Sequence, residues 1–415
     1  MTTDSRPAQP PELPQVRFEA LDSWRGLAAI LVVLFHTQVA SHVRDAGLVR
    51  GGEMFVDFFF VLSGFVIAYA YAGRITSGAA MGRFMMFRFG RVLPLHLVML
   101  VLFIVMESTK VLVPGLGAPG DEAFTGTNGF GAIFTNIFLV QVGTHDQLTW
   151  NTPAWSIAAE VAAYAAFGVA ALLFGRTLGL AALAGAVVSV AVLWILAPHG
   201  MESTYDFGQF RALYGLSIGV LIHRFAMDGI TRSRMANAQG GREAGLINWT
   251  WTAVEIVTVA AALAFVVHGY GTSAAFASPL VFGIVVMVFA IEGGQVSAVL
   301  RTKPLVLMGT LSFSIYMVHM FVIMRMVNVA RLTDKLTGST TVVPMGHGEG
   351  VDFGSLLAGD VAVLSIIGVT IAVSVVTYRL IEQPGRAWFR QAAGRLFASP
   401  PRDLPSTQRL ADARR

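Results

Sequence analysis

Residues 25–43 read RGLAAILVVLFHTQVASHV: one arginine, then eighteen positions without Asp, Glu, Lys or Arg. An uncharged apolar run of that length is read as a membrane helix. The same pattern recurs near 54–73, 92–108, 153–175, 177–198, 208–226, 250–268, 275–292, 304–326 and 358–380. These runs predict an all-α polytopic membrane protein of about ten transmembrane helices. Composition agrees, since 55% of the 415 residues are hydrophobic and 13% are charged, against about 25% charged in a soluble domain. The chain has no cysteine, which excludes disulfides, thiolate catalysis and zinc–sulfur sites. Its net charge of +4 points to no nucleic-acid partner, because the basic residues divide by membrane face.

That division tests the span count. Ten spans with both termini cytoplasmic place 21 Lys/Arg on the inner side and 7 on the outer. An eleventh apolar stretch, 129–143, holds Asn136 and Gln141; counted as a full span it gives 10 inside against 18 outside. The positive-inside rule therefore favours ten spans, with 129–143 as a short re-entrant or interfacial helix. Residues 1–19 contain four prolines and no apolar run, and are expected to be a disordered cytoplasmic tail, with no signal peptide. Residues 20–390 form the membrane domain, and 391–415 a basic cytoplasmic tail. The segment 233–244 is expected to be a mobile inner loop.

Ionisable residues inside apolar spans are costly and mark function. Arg25 and His36 are eleven positions apart, about 20° around one helix and ~16 Å along it. Arg25 falls at the cytoplasmic end, where an ordinary topology anchor and a functional cation are both open readings. Counted from the outer helix ends, Asp57, His36, Glu160 and His319 lie about 6–12 Å deep. Four titratable groups from four spans in one layer predict a central polar cavity, although each could be satisfied separately by backbone or water. A histidine beside a carboxylate is suited to removing a proton from a hydroxyl. On the inner face, Arg83, Arg88 and Arg91 lie between two spans. Arg88 and Arg91, at i,i+3, would suit a polyphosphate, but the positive-inside rule alone also places arginines there. No metal constellation appears, because His199, His223, His268 and His347 are scattered without ligand spacing.

Several fragments, in order, carry a resemblance. They are Leu21-Asp22-Ser23-Trp24-Arg25-Gly26 through Phe35-His36; Val56-Asp57-Phe58-Phe59-Phe60-Val61-Leu62-Ser63-Gly64-Phe65; and Arg88-x-x-Arg91 with Pro94. Trp155-Ser156-x-x-x-Glu160 with Tyr164, Ser312-Phe313-Ser314-Ile315-Tyr316-Met317-Val318-His319, and Ile381-Glu382-Gln383-Pro384 follow. The set resembles the acyltransferase family 3 proteins, membrane enzymes that move acyl groups, commonly acetyl, onto exported glycans and related hydroxyl acceptors, and the expected location of this chain is the bacterial inner membrane. The resemblance implies ten helices with cytoplasmic termini. It implies that Arg25 and His36 are essential, that Arg88 and Arg91 assist a coenzyme A donor, and that Trp155 and Glu160 shape the reaction cavity. Ser156 and Tyr316 are counted with that cavity. Valine at 318 and Gln383 depart from the residues common in the family, which bears on acceptor choice.

The expected activity is O-acyl transfer from cytoplasmic acyl-CoA, with acetyl-CoA as the first choice, to a hydroxyl of an exported carbohydrate. No bound cofactor is expected. His36 would act as general base or acyl relay, with His319 beside it and Glu160 or Asp57 orienting the imidazole. Two other classes are open: a transporter or flippase using the His/Glu groups as a proton relay, and a non-catalytic scaffold. The lipid bilayer, acyl-CoA and a hydroxyl acceptor are the expected partners.

Overall fold

A computed structural model of the chain describes residues 17–112, 122–240, 249–346 and 348–397. Its helices are α1 (Glu19–His36), α2 (Gly47–Arg50), α3 (Phe55–Tyr71), α4 (Gly78–Leu112), α5 (Phe130–Ile137), α6 (Ala154–Phe174) and α7 (Leu178–Ile195). They continue with α8 (Gly208–Gly240), α9 (Trp249–Gly269), α10 (Ser278–Phe289), α11 (Gln295–Leu300), α12 (Lys303–Thr337), α13 (Leu356–Thr377) and α14 (Gln383–Leu396). A helix occupies each of the ten stretches read as spans. Six helical runs are long and apolar enough to cross a membrane: Gly52–Tyr71, Gly78–Leu112, Ala154–Ile195, Trp249–Gly269, Lys303–Thr337 and Leu356–Leu396. Outside that set, α1 carries Glu19, Asp22 and Arg25 within its length, and α10 has 12 residues.

The core of the bundle is built of large apolar side chains such as Phe55, Phe58, Phe65 and Phe282, but α7 packs by its small residues. In α7 the residues packed inward include Gly179, Ala182, Ala186 and Ser189, whereas Leu180, Leu183, Val187 and Trp194 face outward. Small residues let helices approach closely where lipid supplies no hydrophobic drive between them. The closest approaches fix the two helix pairs that matter most here. A Cβ added at Gly26 of α1 would meet the Gly309 backbone nitrogen of α12 at 2.7 Å. One added at Gly64 of α3 would meet the Leu216 carbonyl carbon of α8 at 2.7 Å. Overpacking of this kind costs about 1–3 kcal/mol. Gly26→Val is therefore expected to lower the unfolding midpoint in detergent; a wild-type midpoint would mean that α1 and α12 separate without loss.

Three local differences from the sequence reading have physical causes. The stretch 129–143 contributes only the eight-residue helix α5, stopped at Leu139 by a left-handed backbone (φ 56°). Asn136 and Gln141 point inward there, while Phe130, Phe134 and Phe138 are exposed. Arg83, Arg88 and Arg91 sit within α4, which begins at Gly78 and carries Pro94 inside it, so they are not in a connecting loop. Arg211, counted above among outer-loop charges, is 2% exposed near the start of α8. Of the parts expected to be mobile, 233–240 continues α8 and 391–396 lies in α14, because the helices run on past their apolar spans; 1–16, 241–244 and 398–415 lie outside the described residues, as does His347.

After His36 the chain turns extended at Thr37. It then pairs with a small antiparallel hairpin, β1 (Val342–Met345) and β2 (Gly348–Val351). Ala40 N–H donates to the Val351 carbonyl at 3.0 Å, and Val351 N–H to the Gln38 carbonyl at 2.9 Å. This pairing anchors the end of α1 that carries His36.

Candidate functional site

The close approach of α1 and α12 decides which polar groups meet. Ser312, Tyr316 and His319 recur at four and three residues, so they share one face of α12. Near one end, Arg25 Nη2 donates to Ser312 Oγ at 3.1 Å. Eleven residues along α1, His36 faces His319, with ring centroids 5.0 Å apart. His36 Nδ1 lies 2.9 Å from the Val32 carbonyl and 3.4 Å from His319 Nε2. The shorter contact assigns the Nδ1 proton to Val32, leaving His36 Nε2 with a free lone pair. His319 is fully buried behind it, and His36 is partly exposed.

A cavity of about 530 Å³ opens below this pair. Arg17, Arg25, Arg88 and Arg91 line it, together with Ser63, Ser156, Glu160 and Tyr316. Arg17 pairs with Asp22, also on the cavity wall, at 2.8 Å, whereas Arg88 and Arg91 are held by aromatic faces. The Arg88 guanidinium lies 5.4 Å from the Tyr71 ring centre, 5.8 Å from Phe84 and 5.9 Å from Tyr164, and Arg91 lies 6.0 Å from Phe313. Among the described residues neither Arg88 nor Arg91 forms an ion pair, and Arg25 has only a 3.4 Å contact with Asp22. Guanidiniums facing a cavity with so little counter-charge leave their donors for an anion, and their planar forks suit phosphate.

The single layer of four titratable groups resolves into three separate arrangements. His36 and His319 form the first. Glu160 belongs to the second: it accepts a short hydrogen bond from Ser63 Oγ, which in turn is approached by Tyr164 Oη at 3.4 Å. Asp57 belongs to the third, and it is not brought to either imidazole. Its Oδ1 accepts from Arg211 Nε at 2.7 Å and its Oδ2 from Ser278 Oγ at 2.6 Å. Trp155 lies with this third group and off the cavity wall, its ring 5.5 Å from the Arg211 guanidinium. Ser156 and Tyr316 are joined at the cavity wall by a 2.7 Å hydrogen bond.

Sequence reasoning missed Arg211, Glu53 and Ser63. Arg211 Nη1 reaches Glu53 at 2.9 Å, making a buried Glu53–Arg211–Asp57 bridge between α8 and the start of α3. The signal was present, since Glu53 and Asp57 are four residues apart and Arg211 opens an otherwise apolar run. The closing motif is tied to α12 away from the cavity wall: Ser314 Oγ donates to Glu382 at 2.8 Å, and Glu382 pairs with Arg386. No cluster of three metal-ligating side chains occurs among the described residues.

A cavity lined by weakly countered arginines, next to an imidazole whose tautomer is fixed, is an arrangement that comparison with known proteins can test. Residues 18–379 match the acyltransferase family 3 model, whose description is acyltransferase domain. The chain belongs to the acyltransferase 3 family. A relative from Rhizobium radiobacter, protein 2 in the picA locus, is 33% identical over 198 residues. That match covers 44% of this chain and 96% of the relative. No solved structure matches the chain. The family match includes Arg25, His36, Asp57, Arg88, Arg91, Glu160 and His319, and stops just short of Glu382. Membership and the six apolar helical runs make this acyltransferase 3 protein an integral membrane acyltransferase.

Proposed function

We propose that this acyltransferase is an O-acyltransferase of the bacterial inner membrane with both termini cytoplasmic and about ten spans. It carries an acyl group, acetyl by first choice, from cytoplasmic acyl-CoA to a hydroxyl of an exported or surface carbohydrate. The observation that carries this reading is the cavity beside α1, where four arginines meet two acids, Asp22 and Glu160, and where Arg88 and Arg91 form no ion pair among the described residues. Coenzyme A presents phosphates at one end and a thioester at the other, joined by an extended arm. The ~16 Å rise from Arg25 to His36 suits a ligand with its charge and its reactive carbon at opposite ends.

In this reading the phosphates lie against Arg88 and Arg91, and Arg25 guides the arm upward. His36 Nε2, held in the basic tautomer by the Val32 carbonyl, takes the proton from the acceptor hydroxyl. The hydroxyl oxygen attacks the thioester carbon, and the coenzyme A sulfur leaves as thiolate and is protonated. Glu160 stands beside Ser63 on the donor side, where it can accept hydrogen bonds from the amide N–H groups of the arm. His319 supports the His36 ring from behind.

Free-thiol release from acetyl-CoA in membranes carrying the protein, with a carbohydrate acceptor present, tests the reading. Mass spectrometry of surface glycans with and without the protein identifies the product. Arg88→Ala is expected to raise the donor KM by about 10–100-fold, the range given by the 1.5–3 kcal/mol of a hydrogen bond to a charged group. The acceptor KM should stay near wild type. An unchanged donor KM would remove Arg88 from phosphate binding.

A further inference from the structure

The cavity that holds the arginines does not reach the imidazoles: its wall includes Tyr316 and Ser156 but neither His36 nor His319. Tyr316 occupies the boundary. One side of its ring faces the cavity beside Phe59, with centroids 5.9 Å apart, and the ring lies 5.8 Å from that of His319. The phenol is tied down at its tip. Its oxygen lies 2.7 Å from Ser156 Oγ and donates to the Pro153 carbonyl at 3.2 Å. Ser156 Oγ lies 3.0 Å from the same carbonyl, and because the two hydroxyls have one proton each, two of these three contacts are hydrogen bonds at any moment. All three residues lie at the start of α6 or on the inward face of α12, and Tyr316 is 5% exposed.

We propose that Tyr316 is a positioning residue that partitions the donor cavity from the imidazole pair, and that the thioester reaches the imidazoles only by displacing its ring. The proposal rests on the reading above, in which the donor enters the arginine-lined cavity. The chemical reason for such a partition is water. A thioester open to both membrane faces would be hydrolysed, water adding its oxygen to the acyl carbon and its protons going to the carboxylic acid and the departing thiol. A ring latched through Ser156 and Pro153 keeps the outer side closed until the acyl end of the donor pushes it aside. The phenol moves as a flat plate hinged on α12, and its latch is made of neutral hydrogen bonds, which exchange without separating charge in the membrane interior.

The test is the stoichiometry between thiol released and acyl group transferred, measured on the purified full-length protein with acetyl-CoA and a carbohydrate acceptor. Wild type is expected to release one thiol per acyl group transferred and almost none without acceptor. Tyr316→Ala should release thiol without acceptor about tenfold faster than wild type, the factor that lowering the barrier by ~1.4 kcal/mol gives. Tyr316→Phe, which keeps the ring and loses both hydroxyl contacts of the latch, should leak more than wild type and less than Tyr316→Ala, and change kcat more than donor KM. Ser156→Ala loosens the latch without touching the ring and should leak to an intermediate degree; it carries the test if Tyr316→Ala fails to fold. Tight coupling in both Tyr316→Ala and Ser156→Ala would overturn the partition. Absence of transfer by wild type would instead overturn the acyl-CoA reading on which the partition rests.

Discussion

Replacing His36 with alanine is expected to lower acyl transfer by about 10²–10⁴-fold, the range that loss of a general base produces. The effect should fall on kcat, because the donor contacts at Arg88 and Arg91 lie in the cavity, whose wall does not include His36, and remain in place. The structure sharpens this expectation at the level of one atom. Nδ1 is committed to the Val32 carbonyl, so only Nε2 is available to take a proton. A substitution that presents a nitrogen at the Nδ1 position alone, such as His36→Asn, should therefore fail to rescue. The measurement is free-thiol release from acetyl-CoA in the presence of acceptor, with donor KM determined in parallel. Wild-type turnover by His36→Ala would take the base assignment away from this residue.

The second large effect concerns stability. Arg211 is 2% exposed and holds two carboxylates, Asp57 and Glu53, at 2.7 and 2.9 Å. Arg211→Leu would leave the buried Asp57 and the half-buried Glu53 without their cation, and removing one partner of a buried pair costs about 3–5 kcal/mol. The expected result is a lower unfolding midpoint in detergent and reduced accumulation in the membrane. Neutralising an orphaned acid should recover part of the loss, so Arg211→Leu combined with Asp57→Asn is expected to be more stable than Arg211→Leu alone. The donor KM of any surviving Arg211→Leu protein should be unchanged, because Arg211 does not line the arginine cavity. A midpoint equal to wild type would show that the three-residue bridge contributes nothing to the α3–α8 contact.

These two residues also mark how far the sequence could be read. His36 was legible because a titratable group in the middle of an apolar run is conspicuous and its spacing from Arg25 fixes a helical face. Arg211 was miscounted because it sits at the edge of its run, where an outer-loop charge and a buried structural cation look alike in one dimension. Asp57 shared a depth with His36 and Glu160, yet depth is one coordinate of three. Helix rotation turns Asp57 toward α8 and Ser278, Glu160 toward Ser63, and only His319 toward His36.

The family matched by residues 18–379 was recognisable from ordered motifs spread along the chain, and the helical content followed from uncharged runs that water cannot solvate. Those properties are local or additive along the chain, so the sequence by itself determined them: an almost wholly helical membrane acyltransferase, with Arg25, Arg88 and Arg91 as its cationic residues of interest. Only the tertiary structure decided which ionisable groups meet, because partners such as His36 and His319 are 283 residues apart. Their contact depends on Gly26 and Gly309 letting two helices approach closely, a packing relation that no single stretch of sequence contains. The separation of the cavity from the imidazoles by Tyr316 is of the same kind: it follows from which side of one ring each helix touches.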